Sequence, residues 1–188
     1  VNSFRVDLTP SGGQQQFNWK TGAITNGFIS SNKDVKNAEF TAYIRVRGDL
    51  NQSSHRLQLK LRGGTHSGTS DPRASSCEFS LGFDRDTRFA RELNHPDFDN
   101  VTIPNKISFR YALNKWYGLK VLSFPAQTGS QVKNQLYIDQ DPFGTDGRPK
   151  NGWVLFCEYL DDNAVSTGQY KQACTWAGWL WELRMDGF

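Results

Sequence analysis

A strict alternation of apolar and polar residues in two nearby segments constrains the fold of this 188-residue chain more than any other feature. Residues 39–47 place four apolar side chains on one face of an extended strand: Phe40, Ala42, Ile44 and Val46. Residues 56–62 repeat the pattern, with three leucines alternating with polar residues. Successive side chains of a β-strand point to opposite faces, so each segment is predicted to be a strand with one buried face.

Similar segments separated by turns continue along the chain. Further strands are predicted at residues 78–83, 106–113, 116–124, 135–139, 153–160 and 179–186, with shorter ones at residues 4–8 and around Phe28. The 17 glycines, many in Asn-Gly, Asp-Gly and Ser-Gly steps, provide the turns. Residues 86–93 are expected to form a single helical turn. Many short strands joined by turns predict an all-β fold, a two-sheet antiparallel β-sandwich, as a single domain over residues 1–188.

The bulk composition excludes several classes of partner. The net charge of +3 comes from interspersed acidic and basic residues, so it does not predict nucleic-acid binding. The apolar stretches are too short to span a bilayer, and no membrane association is expected. Three cysteines are too few for a disulfide scaffold. One bridge and one free thiol are expected, and Cys157 with Cys174 is the favoured pair, although the sequence leaves the connectivity open.

The polar faces of the two alternating segments are cationic. They carry, in chain order, Arg45, Arg47, Arg56, Gln58, Lys60 and Arg62. If the two strands are neighbours, like charges lie opposite one another, and Glu39 and Glu78 offset that cost only in part. Such a face predicts an anionic ligand, and a surface sheet laced with salt bridges is the alternative.

Two histidines are candidate catalytic or binding groups. The glycines at 63 and 64 let the backbone bend sharply and are expected to place His66 at the rim of the sheet. An imidazole beside several cations has a lowered proton affinity, so it would be neutral and able to act as a base near pH 7. A turn histidine bonded to the backbone is the alternative. His95 is the second candidate, although the proline that follows it suggests the end of a strand.

Aromatic residues are concentrated in the C-terminal half of the chain. They include Trp116, Tyr117, Tyr137, Trp153, Trp176, Trp179 and Trp181. Sugar rings stack their C–H faces on indoles and phenols, but most tryptophans of a small sandwich lie in the core. One or two of these residues are therefore expected to contact a ligand. Lys120 shares a strand face with Trp116 and is expected to extend the cationic surface.

The motifs of metal and nucleotide sites are missing from the sequence. It contains no C-x-x-C, H-E-x-x-H, P-loop or G-x-G-x-x-G pattern. Asp139 and Asp141 form a D-x-D without the rest of an EF-hand loop. No cofactor is expected to be required. Asp186, together with loop carbonyls, is the candidate ligand set for a structural Ca²⁺.

Five segments together resemble a group of microbial extracellular domains. They are Asn-Ala-Glu-Phe-Thr-Ala-Tyr-Ile-Arg-Val at 37–46, Arg-Gly-Gly-Thr-His-Ser at 62–67, residues 88–95, residues 116–120 and residues 176–187. That group is similar to the concanavalin-like (LamG-type) jelly rolls, and the similarity covers the chain from about Phe28 onward. The resemblance implies a secreted domain with two curved antiparallel sheets and a carbohydrate groove on the concave side.

A more distant similarity links the chain to jelly-roll polysaccharide lyases of the alginate and glucuronan type, in the order Arg, His, Tyr on successive strands. In such lyases a cation neutralises the uronate carboxylate, a His or Tyr removes the C5 proton, and a Tyr protonates the leaving oxygen. The positions implied in this chain are Arg45 or Arg62, then His66, then Tyr137 or Tyr111.

Three functions follow from these observations. The first is a monomeric, secreted lyase that cleaves an acidic polysaccharide, with catalytic Arg45, Arg62, His66 and Tyr137. Its predicted substrate-binding residues are Glu39, Tyr43, Gln58, Lys60, His95, Trp116 and Lys120. The second is a non-catalytic carbohydrate-binding module or lectin. The third is a glycoside hydrolase that pairs Glu39 with Glu78 or Glu158.

Overall fold

A computed structural model describes eleven segments of the chain: residues 14–18, 23–24, 37–47, 56–63, 76–82, 87–94, 97–103, 109–127, 130–162, 173–175 and 180–186. The strands in these segments are β1 (Gln14–Asn18), β2 (Ala23–Ile24), β3 (Ala38–Arg45), β4 (Arg56–Gly63), β5 (Ser76–Gly82), β6 (Thr87–Asn94), β7 (Asp97–Thr102), β8 (Trp116–Pro125), β9 (Val132–Asp139), β10 (Val154–Asp161) and β11 (Leu180–Asp186). None of the described segments is helical. The all-β prediction is confirmed.

The strands form two antiparallel sheets that pack against each other. A seven-stranded sheet has the order β2-β1-β11-β4-β5-β6-β7, and a four-stranded sheet has the order β10-β9-β8-β3. This arrangement confirms the predicted two-sheet β-sandwich. The described part of the chain contains no helix long and apolar enough to cross a membrane.

The core lies between the two sheets and follows from the alternation in the sequence. The leucines of β4 are fully buried, and so are Leu119 and Leu136 in the four-stranded sheet. The rings of Phe89 in β6 and Tyr159 in β10 lie 4.5 Å apart and connect the two sheets. Each buried apolar side chain of this size stabilises the fold by about 1.5–3 kcal/mol relative to exposure, so one face of every core strand must be apolar.

Two of the local predictions are wrong. Residues 86–93 were expected to contain a helical turn, but Thr87–Asn94 is strand β6, paired on both sides with β5 and β7. Hydrogen bonding to two neighbours favours the extended form over any local preference. Residues 109–113 were expected to belong to a strand, but they do not form one. Next to them, the N–H of Asn114 donates to the carbonyl of Val46 at 2.8 Å. The strands predicted at 4–8 and around Phe28 lie outside the described residues.

The two alternating segments are not neighbours. β3 pairs with β8 in the four-stranded sheet, whereas β4 lies between β11 and β5 in the other sheet. The predicted repulsion between their cations therefore does not arise, because the two sets belong to different sheets.

The disulfide joins Cys77 to Cys174, and Cys157 is a free, buried cysteine. The favoured pair Cys157–Cys174 is therefore wrong. Cys157 lies opposite Leu136 in the four-stranded sheet and is part of the hydrophobic core, whereas Cys77 belongs to β5 of the other sheet. Proximity along the chain does not measure proximity across a sandwich.

Candidate functional site

The candidate site is the face of the four-stranded sheet that points away from the core, called the outer face below. Its strand residues are Glu39, Thr41, Tyr43 and Arg45 of β3, Trp116, Gly118, Lys120, Leu122 and Phe124 of β8, Lys133, Gln135, Tyr137 and Asp139 of β9, and Leu155, Glu158 and Leu160 of β10. They alternate with buried residues such as Leu119, Val121 and Leu136.

Strand register aligns these residues in rows across the sheet. One row contains Thr41, Lys120 and Tyr137, and the next contains Tyr43, Gly118 and Asp139. Residues directly opposite on one face of a sheet have Cβ atoms about 4.5–5.5 Å apart, so each row brings its side chains into contact range.

Four aromatic residues form a cluster at one end of the outer face. Tyr43 and Trp116 come from the sheet, and Phe143 and Trp153 come from the loop at residues 140–153; the four are called the aromatic cluster below. The ring centroid of Phe143 lies 4.9 Å from that of Tyr43 and 5.6 Å from that of Trp116. Trp153 lies 6.1 Å from Tyr43. All four side chains keep some exposure, and Trp116 is 40% exposed.

Gly118 lets the Trp153 indole lie directly on the sheet. A Cβ atom at Gly118 would come within 2.7 Å of Trp153 Cη2, closer than real Cβ atoms approach other atoms. Lys120 Nζ lies 4.5 Å from the ring centroid of the same indole, a cation–π contact. The indole therefore contacts both a glycine and a lysine of strand β8.

Asp139 fixes the loop that carries Phe143 and Trp153. Its buried carboxylate accepts hydrogen bonds from the N–H of Asp141 at 3.0 Å and from the N–H of Gly152 at 2.8 Å. The two donors lie at opposite ends of the loop, so one side chain closes it. Asp141 in turn pairs with Lys150. Both carboxylates of the D-x-D motif are therefore occupied by groups of the protein, which does not favour a Ca²⁺ site there.

A polar network occupies the middle of the outer face. Lys120 Nζ lies 3.3 Å from Glu39 Oε1, and Lys133 Nζ lies 2.9 Å from Glu158 Oε1. Gln135 Nε2 also donates to Glu158 at 2.6 Å. Tyr137 Oη donates to Gln135 Oε1 at 3.2 Å and thus lies at the edge of the same network.

The ionisation of two of these groups is shifted. Burial raises the pKa of the Tyr43 phenol, and the charges of Asp139 and Glu39 raise it further, so Tyr43 is a neutral hydrogen-bonding group. Burial raises the pKa of Glu158, but hydrogen bonds from Gln135 and Lys133 and the charge of Lys133 outweigh it. The net pKa of Glu158 is lowered, and it is a carboxylate at neutral pH.

Six of the residues predicted from the sequence lie together on the outer face. They are Glu39, Tyr43, Arg45, Trp116, Lys120 and Tyr137. Arg45 lies at the strand end, where its Nε donates to the carbonyl of Asn114 at 3.1 Å.

Three other predicted residues lie elsewhere. Lys60 and Gln58 belong to the seven-stranded sheet. Lys60 is buried, with Nζ 2.9 Å from Glu92 and 3.7 Å from Glu78, and Gln58 donates to Glu78 at 2.9 Å. The expected open cationic face is wrong for this strand, since a buried charge is stable only when it is paired.

Arg62 is fully buried between the sheets. Its φ of 51° turns the end of β4, and its Nε donates to Ser123 Oγ in the four-stranded sheet at 2.9 Å. Burial lowers its pKa to about 10, with Asp161 acting in the opposite direction. Arg62 is thus separated by the sheet from Tyr137 on the outer face.

The remaining predicted residues are not described at the level of side chains. His66 and His95 lie outside the described residues. The backbone of Asp186 ends β11 opposite Gln14 and Arg56, and its side chain lies outside the description. The structural Ca²⁺ therefore stays a prediction.

The predicted glutamate pairs do not meet. Glu39 and Glu158 share a row but lie on the two outer strands of the four-stranded sheet. Three inter-strand spacings separate them by about 14 Å, whereas glycosidase carboxylates lie about 5–9.5 Å apart. Glu78 belongs to the other sheet.

A second polar cluster lies inside the sandwich, next to the disulfide. Arg91 and Asp161 are fully buried and pair at 3.3 Å, and Asp161 accepts the N–H of Cys174 at 2.7 Å. Potential ligand atoms of Cys77, Cys174 and Asp161 lie within 4.8 Å of one another. The two sulfurs are bonded to each other and the carboxylate is hydrogen-bonded, so the cluster is explained as structural support.

Sequence reasoning missed Phe143, Gly118 and Asp139 as parts of the site. The signal for the loop is its composition, Asp-Gln-Asp-Pro-Phe-Gly-Thr-Asp-Gly-Arg-Pro, in which turn residues surround a single phenylalanine. A turn sequence predicts a loop, but it does not predict that the loop folds back onto the sheet.

Fold and site together define an all-β sandwich with a partly exposed aromatic and polar face on its smaller sheet. No protein-family model matches the chain, and no curated protein matches it either. The concanavalin-like and lyase resemblances therefore stay predictions, and the site alone must support a function.

Proposed function

We propose that this chain is a non-catalytic carbohydrate-binding module that binds a glycan on the outer face. The observation that carries the proposal is the aromatic cluster, partly exposed and adjacent to a hydrogen-bonding network on the same face. Sites for small ligands combine an apolar or aromatic surface with a few placed polar groups. A pyranose ring needs both, since it has C–H faces and a rim of hydroxyls.

The aromatic cluster suits the C–H faces. Trp116 is 40% exposed, and covering its apolar indole surface with a ligand would contribute favourably to the free energy of binding. Gly118 and Asp139 hold Trp153 and its loop in place before any ligand arrives. A rigid aromatic surface loses little conformational entropy on binding, and aromatic residues in such positions contribute most of the affinity at interfaces.

The polar network suits the hydroxyls. Glu39 and Glu158 are 49% and 37% exposed and can accept hydrogen bonds, and Gln135 can both donate and accept. Each of these groups already has a protein partner that holds it in position. A glycan lying across the rows would meet aromatic residues at one end and this network beyond them.

Binding is favoured over cleavage by the positions of the acid and base candidates. A β-eliminating lyase needs a cation, a base and a phenol around one sugar. Arg62 is bonded to Ser123 inside the sandwich. The other candidate cation, Arg45, shares the outer face with Tyr137 but lies two strands away from it and four residues farther along the sheet. Lyase activity stays a prediction that turns on His66.

The test is a comparison of Trp116→Ala with the matched control Leu113→Ala. Leu113 is more exposed, at 51%, and lies on the turn just before β8, outside the strands that form the outer face. In affinity electrophoresis against a panel of soluble glycans, Trp116→Ala should weaken binding by about tenfold or more, and Leu113→Ala should not. Equal binding by both variants would contradict the proposal.

A product assay on the same samples distinguishes glycan binding from glycan cleavage. The wild-type chain should release neither reducing ends nor ultraviolet-absorbing unsaturated uronates from any glycan that it binds. Sustained release of either product by a folded sample would contradict the non-catalytic assignment.

A further inference from the structure

The charges of the outer face carry an inference about the class of glycan. The strands and loop 140–153 that form this face place five cations and five carboxylates on its outer side, and a sixth carboxylate, Asp161, is buried inside the sandwich. Those on the outer side are Arg45, Lys120, Lys133, Arg148 and Lys150 against Glu39, Asp139, Asp141, Asp146 and Glu158. These ten charges cancel, although Lys115, just before β8, adds a cation near Asp141 and the chain as a whole has a net charge of +3.

The cations of the outer face are also engaged individually. Lys120 contacts Glu39 at 3.3 Å, Lys133 contacts Glu158 at 2.9 Å, and Lys150 contacts Asp141. Arg148 lies 3.7 Å from Asp146, and Arg45 donates to a backbone carbonyl. Every cation just named thus has a partner within the protein, and four of these partners are carboxylates.

Lys120 contacts the aromatic cluster, and it is held from two sides. Its ammonium lies over the Trp153 ring and beside Glu39, and its side chain is only 20% exposed. A uronate carboxylate that reached Lys120 would have to approach Glu39 as well. The repulsion from Glu39 would cancel much of the attraction to Lys120.

We infer that the outer face selects neutral glycans over uronate-containing ones. The inference rests on the proposed carbohydrate-binding function and replaces the acidic glycan expected from the sequence. A neutral glycan can donate hydroxyl hydrogens to Glu39 and Glu158 without breaking either ion pair. An acidic glycan gains little long-range attraction from strands and a loop whose charges cancel.

The experiment uses the full chain and matched pairs of soluble oligosaccharides. Each pair consists of a neutral polymer and its uronate counterpart: a β-1,4-glucan with a glucuronate, a mannan with a mannuronate, and a galactan with a galacturonate. Affinities are measured by calorimetry at low and at high salt. In the pair that binds best, the neutral member should bind at least about tenfold more tightly, and salt should change its affinity little.

Glu39→Gln is the diagnostic variant, because it frees Lys120 without removing it. At low salt it should raise the affinity for the uronate member by about threefold or more, and high salt should remove the gain. The comparison variant is Asp146→Asn, which frees Arg148 on the loop in the same way. Because that pair is largely exposed and its charges are screened by solvent, it should raise the uronate affinity clearly less than Glu39→Gln does.

The outcomes separate the inference from the function on which it rests. Tighter wild-type binding of the uronate member, weakened by salt and by Trp116→Ala, would overturn the inference and keep the binding function. An unchanged uronate affinity in Glu39→Gln would also overturn it, since Glu39 would then not be what excludes the acidic glycan. Binding to no member of any pair would overturn both.

Discussion

Gly118 and Asp139 show how single residues build the outer face. The glycine leaves room for the Trp153 indole, and the carboxylate closes the loop that carries Trp153 and Phe143. Neither residue is predicted to contact a glycan. Their contribution is to hold aromatic surface in place, which reduces the entropy lost on binding.

Gly118→Ala should displace the Trp153 ring, because the added Cβ would lie 2.7 Å from Cη2. We expect a loss of about 1–3 kcal/mol in the free energy of unfolding and a shift in tryptophan fluorescence. Chemical denaturation and emission spectra check both.

Gly152→Ala is the matched control, since its Cβ would meet Asp139 at an ordinary contact distance of 3.4 Å. Equal effects of the two substitutions would show that the close approach of Trp153 is not the reason why residue 118 must be a glycine.

Asp139→Ala should leave the N–H groups of Asp141 and Gly152 without their acceptor. The donors belong to exposed residues and the hydrogen bonds are part-buried, so losing the acceptor should cost about 1 kcal/mol, and the cost should fall on the loop. Hydrogen exchange at these two amides should accelerate, whereas Asp146→Ala in the exposed turn should leave them unchanged. Unaltered exchange in Asp139→Ala would contradict the role given to this carboxylate.

Residue alternation predicts the direction of a side chain but not what covers it. The pattern at 56–62 places Lys60 opposite the leucines, as observed, yet Lys60 is 3% exposed and paired with two glutamates. At Arg62 a positive φ turns the chain inward, which no local pattern signals. For β3 and β8 the same reasoning was more successful, and Tyr43, Trp116 and Lys120 lie on one partly exposed face.

At the scale of elements, the positions of the strands along the chain could be predicted better than which strands pair with each other in the sheets. Strands β3, β4, β5, β8, β9, β10 and β11 lie within or close to the predicted segments. Strand β6 could not be identified because its residues alternate weakly and because its buried Arg91 is stable only when paired with the distant Asp99 and Asp161. Sheet membership depends on contacts between distant segments, and the sequence of one chain does not encode these in a local pattern.

The Cys77–Cys174 bond ties β5 to a segment 97 residues later in the sequence. A loop of this length gives about 4–5 kcal/mol in the chain-entropy model, and measured losses are typically about 2–5 kcal/mol. We therefore expect Cys77→Ala and Cys174→Ala to lower the free energy of unfolding by a few kcal/mol each.

Thiol titration in denaturant should detect one free thiol in the wild-type chain and none in Cys157→Ala. Detection of a Cys157–Cys174 bond by peptide mapping, or of three free thiols in the oxidised protein, would contradict the assigned pairing.

At the scale of the whole molecule, folding raises the pKa of several tyrosines that the sandwich buries fully or in part. Burial raises the pKa of Tyr43, Tyr111 and Tyr159, and for Tyr159 burial and the charge of Asp161 together raise it to about 12. Unfolding returns each phenol to a value near 10.0. Between these values the unfolded chain holds fewer protons than the folded chain, so stability must fall as the pH rises.

Denaturation at a series of pH values from about 9 to about 11.5 should therefore show a decreasing free energy of unfolding. Tyr159→Phe removes one of the shifted groups and should make the decrease shallower. An identical slope in wild type and Tyr159→Phe would contradict the assignment of this alkaline sensitivity to the buried phenols.

The central claim is that the outer face of the four-stranded sheet binds a glycan. Hydrogen exchange with and without a saturating glycan tests it most directly, because it locates the contact on the backbone. Binding should protect amides around Tyr43, Trp116–Lys120 and Phe143 while leaving β4, β5 and β6 unchanged. Protection confined to β4–β6, or to no described strand, would contradict the claim.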